Sequence, residues 1–160
     1  MASLRLAAVF LLAATVAAAA QNYRIGGIEI TGPWARATPK GATVTAGYMR
    51  ITNNGDKPDR LLGGRSSVAG AFDIQEMTFA GNVMRLRTLA RGLDIQPGQT
   101  LDLRPGAPYH FIFAGLSRPL QPGDRVQASL WFERAGRVDI EYAVQPIGSR
   151  GFLGPQARAE

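Results

Sequence analysis

The sequence predicts an all-β domain, and three observations predict it. From Gln21 onward, short runs rich in Val, Ile, Tyr, Phe and Trp alternate with clusters of Gly, Pro, Asn and Asp, the pattern of strands joined by turns. The runs recur at regular, short intervals, as in a sandwich or barrel with Greek-key connections. No segment after Gln21 carries the three- and four-residue apolar spacing of an amphipathic helix.

Taken in order, the expected strands are Tyr23–Ile30, Thr43–Thr52, Asp59–Ser66, Phe72–Thr78, Val83–Leu89, Thr100–Leu103, Tyr109–Phe113, Arg125–Glu133 and Arg137–Val144. Turn signals separate them: Asn53-Asn54-Gly55-Asp56, Ala80-Gly81-Asn82, Gln96-Pro97-Gly98, Pro105-Gly106, Gln121-Pro122-Gly123-Asp124 and Ala135-Gly136. Gly and Asn accept positive φ and Pro pre-sets φ, so these residues belong where the chain reverses. Trp34 and Trp131 are expected as core or half-buried strand residues. There is no internal repeat, and the stretch from Gly148 to Glu160 reads as a loose tail.

The first 20 residues read as an export signal. Arg5 gives a positive start, Leu6 to Ala20 is apolar but for Thr15, and Ala18-Ala19-Ala20 offers small residues for cleavage. At 15 residues the apolar run is shorter than the roughly 20 needed to span a bilayer. The expected organisation is a signal peptide over 1–20, a folded domain over 21–147 and a flexible tail over 148–160, with a periplasmic location and no membrane span after cleavage.

Composition removes several function classes. With no cysteine, there is no thiolate metal site, thiol nucleophile or redox pair. His110 is the one histidine, which excludes sites built on two imidazoles. No GxSxG sequence points to a serine nucleophile, and no pair of carboxylates stands at a spacing for acid–base catalysis. The reading is therefore not an enzyme. The net charge of +6 is spread along the chain with no basic cluster, so nucleic acid is not an expected partner.

Several stretches, in order and spacing, resemble the PCuAC family of periplasmic copper chaperones. They are Pro33-Trp34-Ala35-Arg36-Ala37-Thr38-Pro39, Gly47-Tyr48-Met49-Arg50-Ile51 with Asn53-Asn54-Gly55-Asp56, and Glu76-Met77 with Val83-Met84. Further on come Gly92 to Gly98, Pro105-Gly106, Tyr109-His110, Gly115-Leu116, Asp124-Arg125-Val126 and Leu130-Trp131-Phe132-Glu133. The resemblance spans about Trp34 to Val144 and implies a cupredoxin-like Greek-key β-sandwich. It also implies Cu(I) as the ion carried, held by a His (or Met) and a Met eleven positions later, and by a later His-x-Met. Soft thioether and imidazole donors suit that soft ion. Carried onto this sequence, those four positions fall on Gln75, Leu86, His110 and Ile112, so only the imidazole of His110 is kept.

A displaced site can be drawn from Met77 and Met84. If Ala80-Gly81 forms a two-residue turn, Met77 faces Met84 and Gln75 faces Leu86 across the hairpin. Directly opposed side chains lie about 4.5–5.5 Å apart at Cβ, so two sulfurs could share an ion with His110. If Gly81-Asn82 forms the turn instead, Met77 faces Leu86. Asp73 and Gln75 share the face of Met77, and Glu76 points the other way. The expected function is that of a copper chaperone. It would deliver Cu(I) to a copper-receiving periplasmic or membrane-anchored protein, such as a cytochrome oxidase assembly factor, which is what the resemblance implies. The alternative is a metal-free descendant whose old metal face, with Gln75, Leu86 and Ile112, serves as a periplasmic protein-interaction module.

Overall fold

The computed structural model describes residues 21–150; the expected signal peptide and residues 151–160 of the expected tail lie outside them. Among the described residues there are eleven strands and no helix. They are β1 (Asn22–Ile25), β2 (Ile28–Arg36), β3 (Val44–Asn53), β4 (Asp59–Ser66), β5 (Ala69–Ala80), β6 (Val83–Thr88), β7 (Leu93–Ile95), β8 (Thr100–Leu103), β9 (Tyr109–Leu116), β10 (Arg125–Phe132) and β11 (Gly136–Gln145).

Two differences from the expected strands have clear physical causes. The run Tyr23–Ile30 is broken at Gly26-Gly27, where Gly26 takes φ 53° and the chain folds back so that β1 pairs with β2. A side chain on Gly27 would come within 2.7 Å of the Gly55 backbone, so a turn packed this closely onto its neighbour needs glycine. The short strand β7 was not expected; it exists because its backbone completes the edge of β4, a tertiary pairing that three residues cannot announce.

Hydrogen-bonded neighbours run β6-β5-β9-β3-β2-β11-β10-β4-β7, with β1 on β2 and β8 on β3. Only the β11–β2 pair is parallel. The path curls over itself, so that β4 lies against β5 although the two stand far apart along it. The result is a cupredoxin-like Greek-key β-sandwich.

The core lies between the layers and follows from period-two alternation along each strand. Phe72 of β5 and Phe111 of β9 stack with ring centroids 4.7 Å apart, and Phe113 meets Tyr142 of β11 edge to face at 5.2 Å. Around them pack Ile30, Ile51, Leu61, Leu130 and Ile140, all buried. Gly47 sits under the Phe113 ring so closely that a Cβ there would overlap it and come within 3.1 Å of Tyr142. Two buried polar residues tie the loops to this core. Asn53 donates to the carbonyls of Lys57 and Ile95 and accepts from the Gly55 N–H. The Asp59 carboxylate accepts from the N–H groups of Arg60, Arg134 and Ala135 at 2.7–2.9 Å. Both therefore satisfy buried polar atoms that would otherwise cost stability.

Replacing Gly47 by alanine is expected to lower stability by about 1–3 kcal/mol, the usual cost of forcing extra volume into a packed core. Urea unfolding measures it, and an unchanged midpoint would contradict this aromatic packing.

Candidate metal-binding face

The candidate site is a three-stranded ribbon at one end of the strand path, β6-β5-β9. Its outward face is set by register. Gln75 stands opposite Thr88 of β6 and opposite His110 of β9; Met77 stands opposite Leu86, Phe79 opposite Met84, and Asp73 opposite Ile112. Residues two apart share a face, so Asp73, Gln75, Met77, Phe79, Met84, Leu86, His110 and Ile112 all project from the same side. The other side carries Phe72 and Ile74 into the core and, further toward the tip, a row in which Glu76 pairs with Arg87 at 2.5 Å and stands across from Tyr109. The Arg87 guanidinium holds the Glu76 carboxyl below its usual range. Glu76 is half-buried by this partner rather than freely solvated.

The turn is Gly81-Asn82, with Ala80 opposite Val83. This corrects the Ala80-Gly81 expectation and the pairing of Met77 with Met84. The reason is steric. A two-residue hairpin turn needs positive φ at its first central residue, which strains alanine and costs glycine little; Gly81 takes φ 61° in that place. The signal was present in the sequence.

The register decides which donors can meet. Met77 and His110 are diagonal neighbours on adjacent strands, roughly 7–8 Å apart along the sheet. A thioether and an imidazole at that spacing can bind one ion. Met84 lies two strands and four residues from His110, about 16 Å away by strand spacing and rise. Side chains standing perpendicular to the sheet cannot close that gap on one ion. A three-ligand site of Met77, Met84 and His110 is therefore not formed in this register, and Met84 sits nearer the tip, exposed beside Phe79.

His110 is half-buried, and burial alone pulls its pKa below 6.5. Extending the β3–β9 ladder by one residue brings it level with Tyr48. Tyr48 is buried against Trp34, with ring centroids 4.5 Å apart, and Arg36 lies over its ring at 5.6 Å. The imidazole is thus neutral near pH 7 with its lone pair available, the state that ligates metals. Gln75 stands beside it with a carboxamide, and Leu86 and Ile112 contribute only apolar surface. Among the described residues no three His, Cys, Asp or Glu side chains cluster, so a hard cation finds no oxygen cage here. A cleft of about 410 Å³ on the β4-β10-β11 surface, lined by Arg65, Trp131, Arg137 and Asp139, includes none of these residues.

Fold and face together define a PCuAC-like sandwich with soft donors on one outward ribbon. The comparisons agree. The apo PmoF2 PCuAC domain is 28% identical, with a TM-score of 0.67 over 82% of this chain and all of that domain. The copper-bound PCuAC domain from PmoF2 is 28% identical, with a TM-score of 0.65 over 79% of this chain and 98% of that one. Apo-DR1885 from Deinococcus radiodurans is 26% identical, with a TM-score of 0.57 over 91% of this chain and 97% of that one. The "Putative lipoprotein Lxx21020" of Leifsonia xyli subsp. xyli (strain CTCB07) is 27% identical over 119 residues, 74% of this chain and 70% of that protein. The family described as "Putative lipoprotein LpqE-like" matches residues 28–144. This chain belongs to the LpqE-like family.

His110 is expected to titrate with a midpoint below 6.5, read from its ring proton shifts. The folded value is lowered and the unfolded one is ordinary, so acidification through 6.5 toward the lowered value favours the unfolded state. The melting temperature should therefore fall more steeply over that window in the native protein than in His110→Gln. A ring midpoint at or above 6.5, or identical pH profiles, would contradict this environment.

Proposed function

We propose that this chain is an exported, periplasmic copper chaperone-like protein that takes up Cu(I) through Met77 and His110. It passes the ion to a copper-receiving periplasmic or membrane-anchored protein, such as a cytochrome oxidase assembly factor. The observation that carries this reading is the diagonal placement of a neutral imidazole and a thioether on one outward face. Support comes from the copper-bound PCuAC domain of the same architecture. Export is supported by the leader-like first 20 residues and by relatives described as lipoproteins.

The donor set suits a soft ion. Both groups are uncharged, so Cu(I) binds without expelling a proton from either, and thioether sulfur favours cuprous over harder ions. Gln75, Leu86 and Ile112, at the positions where the PCuAC resemblance expects ligands, leave the ion incompletely surrounded. An open coordination position lets an incoming ligand on the receiving protein attach before Met77 or His110 lets go, so transfer runs by ligand exchange. Met84, nearer the tip, is a place for first contact and not part of the same coordination sphere.

Titration with Cu(I) under reducing conditions against a competing chelator tests this. His110→Ala and Met77→Ala are each expected to weaken binding by about tenfold or more, a loss of roughly 1.4 kcal/mol, and Met84→Ala by much less. Equal losses for Met77→Ala and Met84→Ala, or no dependence on His110, would contradict the assignment.

A second reading is favoured by a specific observation. Phe79, Met84 and Leu86 are 67%, 55% and 53% exposed on this same face, an apolar patch of the kind proteins use for contacts. In that reading the chain is a metal-free periplasmic interaction module. Melting temperature separates the two, because a ligand that binds only the folded state must raise it. Unchanged melting with and without excess Cu(I) favours the metal-free module.

A further inference from the structure

Among the described residues, the strand β6 ends the hydrogen-bonded path, with β5 as its only neighbour. The two-residue turn and the bond from the Leu89 N–H to the Ile74 carbonyl fix which way its backbone points. Val83, Arg85 and Arg87 turn their N–H and C=O groups toward β5. Those of Met84, Leu86 and Thr88 point outward and find no strand among the described residues. Of the seven exposed large apolar residues among those described, four (Phe79, Val83, Met84 and Leu86) belong to this hairpin. An exposed, apolar edge with free backbone groups is a template for a further strand.

We propose that the free edge of β6 docks an extended segment of a partner protein in which apolar residues alternate with acidic ones. The alternation follows from the two faces of β6. Apolar side chains on the added strand would lie beside Met84 and Leu86, and acidic ones beside Arg85 and Arg87. Arg85 is exposed and has no ion pair among the described residues, and Arg87 is held only by Glu76.

The same charges argue against a second copy. In an antiparallel pairing through this edge, the outward-pointing residues 84, 86 and 88 must face one another. The two symmetric registers that overlap most of β6 then set Arg85 against Arg85 or Arg85 against Arg87. Like charges directly opposed across strands are destabilising, and the chain's net charge of +6 adds to the repulsion. A membrane surface fits less well, because lipid cannot satisfy the outward N–H and C=O groups of Met84, Leu86 and Thr88. None of this involves copper, so the surface stands or falls separately from the Met77–His110 pair.

The test titrates the ¹⁵N-labelled protein with a capped peptide of alternating valine and glutamate and, separately, with its lysine counterpart. The glutamate peptide is expected to shift the amides of residues 83–88 and to slow hydrogen exchange at Met84, Leu86 and Thr88. Arg85→Glu, an exposed change compatible with the strand, should weaken it about tenfold and favour the lysine peptide. Leu86→Pro, which removes an outward N–H, should abolish binding. The proposal is overturned by equal binding of both peptides, by no binding, or by binding that Arg85→Glu leaves unchanged. It is also overturned by a sedimenting dimer that protects the same three amides, or by capture on phosphatidylglycerol vesicles with the peptide inert.

Discussion

The backbone conformation of Gly81 is the constraint on which the rest of the site depends. A tight hairpin can turn only where its first central residue takes positive φ, and glycine does so without a Cβ clash. Placing that residue at 81 rather than 80 shifts β6 by two residues against β5. Because side chains alternate with period two, a two-residue shift keeps every residue on its face but changes every partner. Met77 gains Leu86 in place of Met84, Met84 moves beside Phe79, and Glu76 gains Arg87 in place of Arg85. One glycine torsion thus decides which soft donors can share an ion.

What remains after that choice is a sparse but coherent surface. His110 is held on β9, one strand further into the sheet, by pairing with Gln75 and by the buried Phe111 beside it. Burial keeps its imidazole neutral, and the Met77 N–H donates to the Pro108 carbonyl at 2.6 Å, which anchors the thioether's strand beside the imidazole's. The hairpin tip beyond them has little core beneath it: every residue of β6 is exposed. On the proposed reading, rigid support for one donor and an exposed tip beyond the other suit an ion that has to be released. The exposed tip also accounts for the apolar patch, since side chains projecting past the sandwich have no opposite layer to cover them.

Much of the fold was legible because it rests on local chemistry. Alternating apolar residues and Gly-, Pro- and Asn-rich turns marked nearly every strand, and Trp34 is buried, with Trp131 half-buried, as such residues in strands should be. The break at Gly26-Gly27 was not legible. Its necessity lies in the approach of Gly55, far along the chain. The same holds for β7, whose strand character comes from β4. At the site, the shared face of Gln75, Met77 and Leu86 followed from parity and holds in either register, whereas that His110 and Ile112 join it was implied by the resemblance and is set by the register of β9 on β5. The identity of cross-strand partners did not follow from parity. The positive-φ rule at the first turn residue would have decided it, since Ala80 is a poor occupant and Gly81 a good one.

Cross-strand nuclear Overhauser effects test the central claim most directly. In non-hydrogen-bonded antiparallel pairs the Cα atoms approach to about 4.5 Å, bringing their Hα protons together. The account predicts strong Hα–Hα effects between Met77 and Leu86 and between Phe79 and Met84. Strong effects between Thr78 and Val83 and between Glu76 and Arg85 would contradict it: the turn would then lie at Ala80-Gly81, Met84 would stand opposite Met77, and the wide separation of Met84 from the imidazole would no longer hold.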